Sequence, residues 1–237
     1  MPKTFTRVKV CCIGSVKEAW TAIDAGASAL GFVSRMPSGP GPIDELLIAK
    51  IVAVVPPGVA TFLLTAETTA APIIEQQRRT RVNTIQLVDD VERGTHRALR
   101  ESLPGVGIVQ VIHVRGESSV TAAVNLSASG MISALLLDSG NPALPVKELG
   151  GTGRVHDWAL SRRIREQASV PVYLAGGLTP SNAGRAIAEV GPFGVDVCSG
   201  LRTDGALDSA KLAAFMLAVR NSGWRPEFRA GASGCRG

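Results

Sequence analysis

A thiol, an amine and a carboxyl recur at alternate positions of short apolar segments. In "RVKVCC", Arg7, Lys9 and Cys11 share one side of an extended chain, while Val8, Val10 and Cys12 share the other. The valines suit a packed layer. That leaves Lys9 and Cys11 facing a polar interior, with Cys11 last, and directs Cys12 outward into packing. In "GVDVCSG" the same alternation groups Asp196 with Cys198 against Val195 and Val197, and in "SALLLDSG" it sets Asp138 last, on the side of Ala134 and Leu136. A thiol and a carboxyl facing one mouth suit proton transfer. Two further segments end in small residues: "AGGLTPSN", with Gly176 and Gly177, and "CSGL", with Ser199 and Gly200. Small residues let backbone N–H groups converge on an anion, so these four positions are expected to bind a phosphate.

These segments belong to a repeated unit. A short run of aliphatic and β-branched residues is followed by a polar loop and ten to fifteen residues of helical pattern. Eight runs are present: "RVKVC", "ALGFV", "VATFLL", "TIQLV", "GIVQVI", "SALLLD", "VPVYLA" and "GVDVCS". Eight strand-then-helix units require a parallel sheet with right-handed crossovers, and no G-x-G-x-x-G follows the first strand as a doubly wound sheet would favour. The expected fold is a single eight-stranded (β/α)8 TIM barrel over residues 1–220, with its functional residues where strands end. The tail, residues 221–237, is rich in Gly, Arg and Ser and is expected to lack order, leaving Cys235 without a role.

Composition narrows the partners. The net charge of +5 is spread along 237 residues and aromatics are 4%, which argues against a nucleic-acid surface. No apolar run approaches the length needed to cross a membrane. Cys11, Cys12, Cys198 and Cys235 show no disulfide or C-x-x-C spacing, so a reducing cytoplasm is expected. His96, His113 and His156 lie in separate units without metal-ligand spacing. "GGTGR", Gly150 to Arg154, is a candidate lid or anion contact.

The segment "KVCCIGSVKEAWTAIDAGASALGFV" resembles the K-[IV]-C-G-[IL]-T opening of phosphoribosylanthranilate isomerases. "LLLDSG", "GGTGRVHDW" and "PVYLAGGLTPSNAGRAIAEVGPFGVDVCSGLRTDG" resemble that family's later motifs, in the same order. The resemblance implies a barrel that carries out an Amadori rearrangement of a small phosphorylated sugar in tryptophan biosynthesis, without cofactor or metal, as a monomer or homodimer. It also implies Cys11 as general base and Asp138 as general acid. A base needs a lowered pKa or an electropositive setting, which Lys9 would supply, and the acid needs a raised one.

Four departures from the family pattern stand out. Cys12 and Gly14 replace the glycine and threonine of C-G-I-T. "SRMPSGPGPIDE" lacks the arginine that holds the anthranilate carboxylate in S-P-R-Y-[IV]. Gln86-Leu87-Val88 lacks the histidine of Q-L-H, and Leu201-Arg202 replaces the end of S-G-V-E. Arg35 or Arg202 is the expected substitute at the carboxylate; if neither reaches it, the alternatives are the same chemistry on another amino-sugar phosphate, or a non-catalytic barrel that binds a phosphorylated ligand. Lys9, Arg35 and Asp196 are the expected substrate contacts.

Overall fold

The computed structural model describes residues 5–141, 143–150 and 153–222. Eight parallel strands close into a barrel in chain order: β1 (Arg7–Val10), β2 (Ala29–Val33), β3 (Ala60–Thr65), β4 (Thr84–Leu87), β5 (Gly107–His113), β6 (Ala134–Asp138), β7 (Val172–Leu174) and β8 (Gly194–Val197). Between them run α1 (Val16–Asp24), α2 (Glu45–Val52), α3 (Ala70–Thr80), α4 (Thr95–Ser102), α5 (Glu117–Ala128), α6 (Trp158–Gln167) and α7 (Ala183–Val190), and α8 (Ser209–Asn221) follows β8. The expected barrel is the fold. A short antiparallel hairpin, β9 (Arg202–Thr203) and β10 (Ala206–Leu207), lies between β8 and α8. α8 runs to Asn221 with Ser222 as its C-cap, so the first two residues of the expected tail are ordered, and residues 223–237, with Cys235, lie outside the described residues. No described helix is long and apolar enough to cross a membrane.

The period-two pattern of each strand sorts its side chains into two cores. Val8, Val10, Leu30, Phe32, Leu63, Ile85, Leu135, Leu137, Val195 and Val197 meet the helices, which return apolar stripes such as Ala19 and Ala22 of α1 or Ala183, Ala186, Ile187 and Val190 of α7. Inside the barrel, Phe62, Leu64, Val109, Val111, Ala134, Leu136 and Tyr173 pack against one another. Capping fixes where the helices start. Asp44, Asp157 and Asp208 cap α2, α6 and α8, and Ser15 accepts from the Glu18 N–H at 3.1 Å while Glu18 accepts from the Gly14 N–H at 2.9 Å, a shifted capping box on α1.

Candidate active site

The ladder that closes the barrel sets Lys9 of β1 directly opposite Asp196 of β8. Their side chains meet inside the barrel at 2.9 Å, Lys9 being wholly buried. Burial pulls the ammonium toward neutrality, but the Asp196 carboxylate and the Cys11 thiol outweigh it, and the Lys9 pKa is raised above 10.5. Two residues up, Cys11 continues the strand by donating its N–H to the Val197 carbonyl at 2.9 Å. The thiol lies beside the ammonium: both crowd the place where a Cβ on Gly31 would stand, 2.7 Å from Cys11 Sγ and 2.9 Å from Lys9 Nζ. Gly31 of β2 therefore makes the room that Cys11 and Lys9 occupy.

Lys9 does not make Cys11 acidic. Burial pushes the thiol up to about 11, and the neighbouring ammonium offsets only part of that. The expected electropositive setting is present, the expected lowering is not. Asp138, at the end of β6, behaves as an acid should: it is buried, burial raises its pKa, and the Ser139 N–H bond at 2.7 Å opposes that rise without cancelling it. Close backbone surrounds the carboxyl. A Cβ on Gly150 would stand 2.7 Å from Asp138 Oδ2, and one on Gly176 would stand 3.2 Å from Oδ1.

Cys11, Asp138 and Asp196 line one cavity at the C-terminal ends of the strands, about 710 Å³ including its open mouth, a size usual for small-molecule sites. Gly176, Gly177 and Ser199 line it too. Gly177 has φ +60, and a Cβ there would lie 2.7 Å from the Arg154 carbonyl carbon, so only glycine fits between the loop after β7 and the segment after β6. Asn182 holds that loop's shape by donating to the Gly177 carbonyl at 2.9 Å and accepting from the Thr179 N–H at 2.8 Å. Gly200 does not line the cavity; its bare Cα seats the turn after β8 against Leu178. Of "GGTGR", Gly150 and Gly153 line the cavity, and residues 151–152 lie outside the described residues.

The two candidate carboxylate-binding arginines are elsewhere. Arg35 is exposed and absent from the cavity lining: β2 ends at Val33, Ser34 is the last residue tied to β3, donating to the Leu64 carbonyl at 2.8 Å, and Arg35 lies beyond that tie. Arg202 is mostly buried against Glu18 at 3.1 Å and donates to the carbonyls of Gly205 at 2.7 Å and of Cys11 and Cys12. It braces the turn after β1 instead of reaching the mouth. No described lysine or arginine lines the cavity.

The cysteines hold the clearest departure from the sequence expectation. Cys12, expected outward in packing, and Cys198, expected on the face of Asp196, neither with disulfide spacing, form a disulfide, their Cα atoms 6.0 Å apart. Strand alternation predicts Cys12 outward only while the chain stays extended, and β1 stops at Val10; Cys12 has φ +61, a left-handed turn that returns its side chain to the mouth. Among the described residues Cys11 is the free cysteine. Sequence reasoning also passed over Gln86, an inward polar residue of β4 that lines the cavity and whose Oε1 has no partner among the described residues. Its signal was a lone amide within an apolar strand.

Comparison with known proteins decides the family. Residues 8–218 match the N-(5'-phosphoribosyl)anthranilate (PRA) isomerase family. A PRA isomerase of Methanosarcina acetivorans is 35% identical over 92% of this chain and 96% of its own. The chain belongs to the PRA isomerase family. It is thus an isomerase of the aldose-to-ketose kind, an intramolecular oxidoreductase. Among solved structures, the Thermotoga maritima phosphoribosyl anthranilate isomerase superposes with a TM-score of 0.76 at 27% identity, covering 91% of this chain and 98% of that one. A phosphoribosyl anthranilate isomerase in complex with reduced 1-(o-carboxyphenylamino)-1-deoxyribulose 5-phosphate gives 0.73 at 25% identity, covering 91% and 98%.

Proposed function

We propose that the chain converts N-(5-phosphoribosyl)anthranilate to 1-(2-carboxyphenylamino)-1-deoxyribulose 5-phosphate in tryptophan biosynthesis, with Asp138 as general acid and Cys11 as general base. The observation that carries this reading is a buried carboxyl whose pKa is raised by burial and a buried thiol, both lining one glycine-rimmed cavity. Asp138 gives its proton to the furanose ring oxygen, the C1–O bond breaks, and the anthranilate nitrogen shares the positive charge at C1 as an iminium. That cation beside Cys11 favours the thiolate, as a nearby positive charge does for any acid. The order is therefore acid first, base second: Cys11 takes the C2 proton, the electron pair neutralises the iminium, and the enolamine tautomerises to the ketone.

The remaining contacts follow from unused atoms. Asp196 binds Lys9 through Oδ2, and its buried Oδ1 has no partner among the described residues, which suits a sugar hydroxyl. Gln86 offers its free Oε1 in the same way. The phosphate is assigned to the cavity wall formed by Gly176, Gly177 and Ser199, where small residues open backbone N–H groups to an anion. A second reading, the same rearrangement on another amino-sugar phosphate, is favoured by the lining without a described cation. Growth of a tryptophan auxotroph lacking the isomerase, with this chain supplied, tests the first reading. Failure to grow despite soluble folded protein selects the second or removes both.

A further inference from the structure

We infer that the Cys12–Cys198 disulfide is a redox-responsive cross-link that positions the phosphate-binding loop against the strand end carrying the base. The inference rests on the phosphate assignment above. Each half-cystine is one residue from a group with a proposed role: Cys12 follows Cys11, and Cys198 precedes Ser199. Both cysteines also line the cavity.

The local backbone is built around the pair. Cys12 takes φ +61, which costs a residue with a Cβ, at a position where the sequence pattern of the family has glycine. The strained turn is held by Arg202, which donates to the Cys12 carbonyl and is itself paired to Glu18. The loop after β2 closes over it: a Cβ on Gly41 would stand 2.7 Å from the Cys12 Cβ, and the Cys12 sulfur lies 3.7 Å from the Pro40 carbonyl. Cys11 is anchored independently through its N–H to Val197, so the ladder alone fixes the base. Beyond Val197 the ladder ends, and the first residues of the phosphate loop have the disulfide as their covalent tie to β1.

The chemistry balances with a disulfide of a small or protein thiol as oxidant. Cys198 is the more accessible sulfur and Cys12 the buried one. The Cys198 thiolate attacks the external disulfide and expels one thiolate; Cys12, as thiolate, then attacks the Cys198 sulfur of the mixed disulfide and expels the second. Two cysteine protons pass to the two leaving thiolates, and reduction retraces these steps with an external thiol attacking Cys198. Cys11, holding its proton, stays out of the exchange.

The test compares the oxidised and dithiothreitol-reduced full-length protein, both checked for folding by circular dichroism. Non-reducing peptide mass spectrometry reads the linkage, and calorimetry with inorganic phosphate reads the loop. Oxidised protein should give a Cys12–Cys198 peptide pair, and reduction should weaken phosphate binding about fivefold, as expected when one loop residue regains its freedom. KM for phosphoribosylanthranilate should rise in parallel, with kcat changing less than about twofold. Cys12→Ala/Cys198→Ala should hold the reduced values with or without dithiothreitol. Equal phosphate affinity in the two states, absence of the peptide pair after treatment with oxidised glutathione, or a redox response that survives in the double variant overturns the inference. A redox-dependent phosphate affinity in a protein that does not turn over phosphoribosylanthranilate supports the cross-link and removes the isomerase reading alone.

Discussion

At Cys11, chemistry and solvation conflict. A thiol with a pKa of about 11 is ionised to roughly one part in a thousand at pH 8, while Asp138 must hold a proton although its pKa, raised from 3.8, belongs to a carboxyl. The free enzyme therefore keeps its base mostly protonated, and kcat/KM should form a plateau whose alkaline end is set by that thiol. Its alkaline limb, near pH 11, belongs to Cys11. Cys11→Asp should move that limb down to the carboxylate range, because the higher of the two pKa values then belongs to a carboxyl; a limb that stays near 11 would show that another group is the base. Cys11→Ser should lower kcat by about 10² to 10⁴. Asp138→Asn should cause a comparable loss of activity while stabilising the fold at neutral pH. A carboxyl whose folded pKa is raised opposes folding once pH passes its unfolded pKa, so the variant should unfold at higher denaturant than wild type at pH 7 and match it near pH 3. Urea titrations at the two pH values check this.

At the scale of elements, each working side chain depends on a neighbouring strand or loop that lacks one. Gly31→Ala would put a Cβ 2.7 Å from the Cys11 sulfur and 2.9 Å from the Lys9 nitrogen, so one must move. The expected result is a kcat loss of at least tenfold from a displacement of the reacting atom, with a smaller change in KM; an unchanged kcat in folded protein would show that β2 does not set the position of the base. Arg35→Ala, by contrast, should leave KM for phosphoribosylanthranilate within about twofold, since Arg35 is exposed outside the cavity. Steady-state fluorescence kinetics decides both. These cases mark what was legible in the sequence. Alternation along β1, β6 and β8 placed Lys9, Cys11, Asp138 and Asp196 correctly, because those residues remain in or hydrogen-bonded to extended strands. It misplaced Cys12, one residue past the ladder in a left-handed turn, and it could not reveal a disulfide between residues 186 apart. Arg202 was misread for a related reason: its partner Glu18 comes from the first turn of α1, and nothing in "SGLR" shows which neighbour the turn after β8 will meet. Gly31 was visible as a letter, but its reason lies on the adjacent strand.

For the whole molecule, the barrel closes where the first strand meets the last, and that seam holds a buried ion pair. Lys9 and Asp196 are 187 residues apart in sequence and pair across β1 and β8. Taking two charges out of water is expensive, and their attraction with good geometry offsets it, so removing one partner is worse than removing both. Lys9→Met alone should destabilise the barrel by about 3 to 5 kcal/mol, leaving Asp196 buried without its cation, while Lys9→Met/Asp196→Leu should recover much of that loss. Both variants should lose activity, the first through the setting of Cys11 and the second also through the sugar contact. The pH dependence separates the ion pair from simple packing. Because the folded pKa of Lys9 is raised above its ordinary 10.5, the folded chain binds this proton more tightly than the unfolded chain, so its contribution is complete below about 10.5 and disappears as pH rises through the folded value. Wild type should therefore lose stability relative to the double variant as pH rises above about 10.5, because in the double variant this group no longer titrates. Guanidinium unfolding of the two proteins across that range measures the difference; parallel losses would mean that the barrel is closed by its strand ladder and apolar cores, with the Lys9–Asp196 pair retained only for its place beside the thiol.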